Sequence, residues 1–311
     1  MKTRGALDTA LSAVGNTPLI RLCRVVPDNH ANIYLKLEYF NPTGSYKDRM
    51  AVSIIEAAEK SGRLREGMNI VEASGGSTAS SLAFVCAVKG YNFRVATSNA
   101  FALEKLRTIS AFGASIDLIE SPSGQISENL IPSMIERANS LAKLGNTYLT
   151  DQFNNRDALI GYEALGLELV EQLQSGIDGF CAAVGTAGMA MGVAKVLKEK
   201  NPETHIVVLE PASTPIITAG HSGSHSVEGI GIGFIPPLLD RDLYDEAWAI
   251  SEDDARAMCR RLAREEGILA GVSTGLNVVA AIQLAKKLGP GKSVVTIACD
   301  TGLKYLKGDL F

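Results

Sequence analysis

Gly179-Phe180-Cys181-Ala182-Ala183-Val184-Gly185-Thr186-Ala187-Gly188-Met189-Ala190-Met191-Gly192 is the stretch whose reading decides the fold. The apolar run 179–184 is short and bounded by glycine, so it reads as a buried strand. Residues 189–200 carry apolar side chains at helical spacing, and a second β-branched run follows at 206–210. Strand, glycine-rich turn, helix, strand is the grammar of a parallel sheet with helices on its faces.

The same alternation extends in both directions. Strands are predicted at 33–37, 69–72, 93–97, 115–119, 179–184, 206–210 and 293–298. Helices are predicted at 48–61, 78–89, 102–112, 129–143, 158–174, 189–200, 252–266 and 274–288. A chain of 311 residues that is 46% hydrophobic can bury two compact α/β domains, or one large domain with a lobe. The net charge of −4 is spread without a basic patch, which argues against nucleic acid or an acidic membrane as partner. The opening MKTRGALDTALSAVGNTPLI has no apolar stretch long enough for a signal peptide or anchor, so cytoplasmic residence is expected. The five cysteines are scattered, with no metal-ligand spacing to the four histidines, and read as buried reduced thiols.

Ligands of open α/β sheets bind beyond the carboxyl ends of strands, which directs attention to the loops there. In Asn41-Pro42-Thr43-Gly44-Ser45-Tyr46-Lys47-Asp48-Arg49 a turn leads into a helix, and Lys47 sits at its entrance. The positive end of a helix dipole discourages protonation there, as a nucleophilic amine requires. Taken alone, however, a lysine beside a helix is more often an ordinary exposed cation. Gly185–Gly192 can bring backbone amides up to a phosphate, or can simply pack tightly; it has neither P-loop nor dinucleotide spacing. Ala73-Ser74-Gly75-Gly76-Ser77-Thr78 and Gly271-Val272-Ser273-Thr274-Gly275 offer hydroxyls and amides, but serine and threonine also serve as plain helix caps.

Set end to end, these segments resemble the cysteine synthase and cystathionine β-synthase family of fold-type II pyridoxal-phosphate (PLP) enzymes. Gly15–Leu22 resembles the family's GNTPLVRL, Asn41–Arg49 its NPxxSxKDR, and Asp151-Gln152-Phe153 its QQF. Gly185–Gly192 resembles its GTGGTxxG phosphate loop, Gly229–Pro236 its GIGxGFIP, and Gly271–Gly275 its GISSG. The resemblance implies a tryptophan synthase β-like fold of two open, twisted, mostly parallel sheets flanked by helices. By analogy, residues 1–47 and 151–311 form the larger, PLP-binding domain, and 48–150 a smaller mobile domain that closes on substrate. A homodimer is implied, and no metal.

The resemblance also implies roles. Lys47 is the Schiff-base and acid/base residue. Ser273 faces the pyridine nitrogen, and Gly185, Thr186, Ala187, Gly188 and Met189 surround the phosphate. Ser74, Gly75, Gly76, Ser77, Thr78 and Gln152 bind the substrate's α-carboxylate, with Ser77 also near the cofactor. The implied reaction is β-replacement on serine, O-acetylserine or O-phosphoserine through an aminoacrylate. Replacement by an amine nucleophile, β-elimination as a cysteine desulfhydrase or serine dehydratase, and a non-catalytic PLP-binding homologue stay open. The chain departs from the family where Ser77 stands for an asparagine, Ala187 for a glycine and Met189 for a phosphate-donating threonine.

Overall fold

The computed structural model describes residues 5–122, 124 and 129–311; residues 1–4, 123 and 125–128, which fall within the expected domain spans, lie outside the described residues. The strands are β1 Leu19–Arg21, β2 Asn32–Leu37, β3 Asn69–Ala73, β4 Asn92–Ser98, β5 Ser115–Ile119, β6 Thr147–Leu149, β7 Gly179–Ala183, β8 His205–Pro211, β9 Glu246–Ile250 and β10 Ser293–Ala298. The helices are α1 Lys47–Lys60, α2 Ser77–Lys89, α3 Leu103–Ala111, α4 Leu130–Ala142, α5 Asp157–Gln172, α6 Gly188–Lys200, the short α7 Ile216–Ala219, α8 Glu252–Arg261 and α9 Val272–Leu288. The helix predicted over 252–266 is interrupted: α8 stops at Arg261 and a wider π turn, Leu262–Glu266, carries the chain to Gly267 at φ 70°.

These strands form two sheets. One has the order β1-β2-β10-β7-β8-β9 and is parallel except for β1 against β2. The other, β5-β4-β3-β6, is parallel throughout. Every residue of the central strands β7 and β10 is buried, as expected for strands covered by helices on both faces. The sequence pattern did not anticipate β1, β6 and β9. All three lie at sheet edges, where one-sided or partial burial leaves only short, mixed apolar runs. Among the described residues no helix is long and apolar enough to cross a membrane.

A buried ionic network fixes the start of α1. Arg49 Nε donates to Glu38 Oε2 at 2.7 Å and its Nη1 to Glu168 Oε1 at 2.8 Å, while Lys36 Nζ donates to Glu168 Oε2 at 2.7 Å. The network therefore joins β2, the turn after it, α1 and α5. Asp48 adds a local clasp, accepting from the Thr43 amide at 2.8 Å and the Thr43 hydroxyl at 2.6 Å. Burial alone would raise the Glu168 carboxyl, but hydrogen bonds and charge from Arg49 and Lys36 outweigh it and hold it at about 2. Lys36 is drawn below its ordinary value because for this more deeply buried group desolvation outweighs its carboxylate partners.

Glu168 therefore stabilises the fold when ionised. Because its folded value lies below the ordinary 4.5, that contribution is complete above about pH 4.5 and is lost as the pH falls toward 2. Glu168→Gln is expected to lower unfolding free energy at neutral pH by about 3 kcal/mol, since it leaves two buried cations short of a carboxylate. It should also flatten the acid limb of the pH–stability curve; denaturant midpoints measured from pH 2 to 7 check both.

Candidate active site

Lys47 is the first residue of α1, and the loop before it is tied to the end of β10: the Tyr46 amide donates to Cys299 O at 3.0 Å. The side chain is only 6% exposed, and among the described residues no carboxylate or hydrogen-bond acceptor takes its ammonium. The nearest π face is the Tyr46 ring, 5.0 Å from Nζ to the centroid. Burial pulls the Lys47 amine down to about 8, against opposing attraction from Cys299 and Glu72. The Cys299 thiol is itself pushed up to about 12 by burial, so near neutral pH it stays uncharged and gives Lys47 no anionic support. The helix entrance indicated the direction of the shift; desolvation is its main cause.

The turn from β7 into α6 presents a second feature. Residues 185–189 are buried, yet among the described residues no acceptor is found for the amides of Gly185, Thr186, Ala187, Gly188 and Met189. The first-turn amides of a helix have no intrahelical partner, and here they have no other protein partner either. Ala187 sits at φ 67°, a left-handed conformation that costs a non-glycine residue roughly 1 kcal/mol. Strain and unpaired buried donors in one turn are the features of a built anion site. Gly185 must be glycine, because a Cβ there would stand 2.2 Å from Gly229 O.

The loop from β3 into α2 is the third. Ser74 Oγ accepts from the Gly76 and Ala79 amides at 3.1 Å each, which turns the chain and leaves the Gly75, Ser77 and Thr78 amides without a protein acceptor among the described residues. The Thr78 hydroxyl donates to Gln152 Oε1 at 2.7 Å, and Gln152 Nε2 donates to Ala73 O at 2.7 Å. Glu72 holds this corner together by accepting from Thr150 Oγ1 at 2.6 Å and the Gln152 amide at 3.0 Å; burial raises its carboxyl to about 7 despite those donors.

A cavity of about 250 Å³ brings these features together. Lys47, Ser74, Gly75, Gly76, Ser77, Thr78, Gln152 and Thr186 all line it. Gly185, Ala187 and Gly188 do not line it, and Met189 is packed in the hydrophobic core, so Met189 can offer a ligand only its amide. Ser273, in the first turn of α9, also lies off the cavity wall; it hydrogen-bonds the Cys299 side chain, which in turn is close enough to Lys47 to influence its charge. Sequence reasoning missed the wall formed by Phe101, Lys105, Ile131, Met134 and Phe153, and the facing segment with Ser222, Ser224, His225 and Glu228. Lys105 looked like one more charge on an amphipathic helix, and no local pattern distinguishes it.

The residues present fit PLP: a buried amine without an anionic partner, a turn of unpaired amides for the phosphate, and a cavity between them. Gly185→Ala is expected to weaken PLP affinity at least tenfold, because the added methyl forces the turn away from Gly229 and spoils the aim of its amides. Equilibrium dialysis of the cofactor against wild type and variant checks this; equal affinities would remove the turn from the site.

A family model described as "Pyridoxal-phosphate dependent enzyme" matches residues 10–300. Cysteine synthase of Staphylococcus aureus is 40% identical over 307 residues, covering 98% of this chain and 97% of its own. The crystal structure of cysteine synthase from Entamoeba histolytica superposes with a TM-score of 0.91 at 33% identity, covering 100% of this chain and 92% of its own. A hydrogen sulfide-producing enzyme from Fusobacterium nucleatum superposes with a TM-score of 0.90 at 34% identity, covering 97% of this chain and 100% of its own. This chain belongs to the pyridoxal-phosphate dependent enzymes, and among them it is an enzyme of the cysteine synthase type.

Proposed function

We propose that this enzyme replaces the β-substituent of serine or an O-activated serine, O-acetylserine or O-phosphoserine, with sulfide or another small nucleophile. The observation that carries the reading is the Lys47 amine: buried, without a carboxylate partner, and facing the same cavity as two loops with unpaired donors. When bound, PLP supplies an electron sink in conjugation with the substrate's Cα. Lys47 would hold the cofactor and, once freed by the substrate's amino group, move the Cα proton off and back. The amides of residues 185–189 and the Thr186 hydroxyl would hold the phosphate, and the Ser273 hydroxyl would face the ring nitrogen. Ser74, Gly75, Gly76, Ser77 and Thr78, with Gln152, would hold the substrate's α-carboxylate through neutral donors.

The same reading assigns mobility to residues 48–150. In its support, the strands of the smaller sheet and the carboxylate loop fall within that span, while Thr186 lies in the turn that follows β7 of the larger sheet. Closure would press Phe101 and Met134 toward Phe153 and exclude water from the reacting carbon. A cytoplasmic homodimer is part of the proposal; exposed Phe40, Ile160 and Leu167 offer apolar surface to a second copy.

The decisive experiment gives the purified holoenzyme O-acetylserine with a panel of nucleophiles and identifies products by mass spectrometry. Cysteine formed from sulfide supports β-replacement. Pyruvate and ammonia formed regardless of nucleophile would establish β-elimination instead. Lys47→Ala should abolish either reaction. Because burial holds Lys47 near 8, uptake of PLP by the apo-protein should accelerate as the pH rises toward 8 and level off above it. A flat rate from about pH 6 to about pH 10 would show that Lys47 is not the attacking amine.

A further inference from the structure

Glu72 stands near the end of β3, just ahead of the carboxylate loop; it is 2% exposed and does not line the cavity. Its Oε1 accepts from the Ala73 amide at 2.7 Å, and its Oε2 from the Thr150 hydroxyl at 2.6 Å and the Gln152 amide at 3.0 Å. All three partners donate, an arrangement that suits a carboxylate and offers a protonated carboxyl no ready acceptor. Thr150 alone can reverse, because its hydroxyl also reaches Val71 O at 3.2 Å. If it turns there to accept from a protonated Glu72, only the two amides still donate to the carboxyl. The charged and titratable groups around Glu72 are Lys47 at the start of α1, which attracts its charge, Asp151 after β6, which repels it, and Tyr148 on β6.

The same residues place the donors of the cavity wall. The Thr78 hydroxyl gives its single hydrogen to Gln152 Oε1 at 2.7 Å, and Gln152 Nε2 gives one of its two to Ala73 O at 2.7 Å. One Nε2 hydrogen is left for a substrate carboxylate, together with the unpaired amides of Gly75, Ser77 and Thr78. The direction of that hydrogen depends on the Gln152 backbone, which Glu72 holds. An anion at Glu72 also repels a carboxylate in the cavity, but the three donors turned toward it offset its field. Hydrogen bonds to a charged group weaken steeply when misaimed, so positioning outweighs repulsion.

Resting on the β-replacement reading, we infer that Glu72 is a positioning residue for the substrate's α-carboxylate: ionised, it fixes the Gln152 segment against the carboxylate loop, and protonated, it releases that hold. Substrate binding then depends on the charge of a residue that never touches the substrate.

Absorbance titration of the holoenzyme with glycine and with glycinamide reads binding without turnover. Both probes carry the amine, only glycine carries the carboxylate, and neither has a β-substituent to lose. Because burial holds Glu72 at about 7, the wild-type preference for glycine, normalised to that of Glu72→Gln, should fall about fivefold from about pH 8 to about pH 6. Thr150→Val removes one donor to the carboxylate and should move that midpoint to higher pH, whereas Thr150→Ser should leave it in place. A merely structural Glu72 would weaken both probes alike and give no midpoint to move. The Thr150 pair decides the matter by itself if Glu72→Gln does not fold. Three outcomes overturn the positioning role: a glycine preference that rises as the pH falls, one equal in wild type and Glu72→Gln at every pH, or a midpoint that Thr150→Val leaves unmoved. Each leaves β-replacement standing where cysteine still forms from sulfide. The expected profile in a holoenzyme that converts no serine derivative would uphold the positioning role and sink β-replacement.

Discussion

A lysine without a carboxylate partner is buried only where the surrounding structure leaves it no alternative, and Lys47 is such a lysine. Part of the compensation lies two residues along the same helix. Arg49 is gripped by Glu38 and Glu168, and Glu168 also takes Lys36, so the start of α1 is pinned to β2 and α5 by charges that are paired. Asp48 ties the preceding turn to the helix through Thr43. The paired charges supply the rigidity around an amine that has no carboxylate partner among the described residues.

The loops around that amine repeat one solution to one problem. A parallel strand delivers the chain into a helix whose first amides have no internal acceptor. At residues 185–189 and at Gly75, Ser77 and Thr78 those amides meet no acceptor from the described protein either, which leaves them open to anionic groups of a ligand. Where the sequence departs from its family, the site absorbs the changes differently. Met189 turns its side chain into the core and leaves the cavity's shape alone, whereas Ser77 stands on the cavity wall and shortens the reach of a group that faces the ligand.

Legibility followed the local apolar pattern. Central strands such as β7 and β10 are continuous apolar runs and were readable directly; of the four edge strands only β5, with its β-branched and apolar Ile116, Leu118 and Ile119, was readable, while β1, β6 and β9 were not. Helix positions were recovered closely except for the four-residue α7, which is too short to show a period, and over 252–266, where a π turn ends α8 early without any proline or glycine to announce it. The cavity's outer wall was invisible in sequence. Lys105 lies more than 100 residues from the segment that carries Ser222 and Glu228, and each alone looks like ordinary polar surface.

The sequence by itself determined the alternation of strands and helices, the glycine-rich turns at strand ends, and, through collinear resemblance, the family and the lysine at its centre. Those are properties of local pattern, which a chain carries wherever it folds. Tertiary structure alone decided that Lys47 is desolvated, that Met189 faces the core, and that Lys105 meets Glu228 on the cavity wall. Burial and charge pairing depend on which distant segments share a dielectric environment, and no local stretch of sequence specifies that.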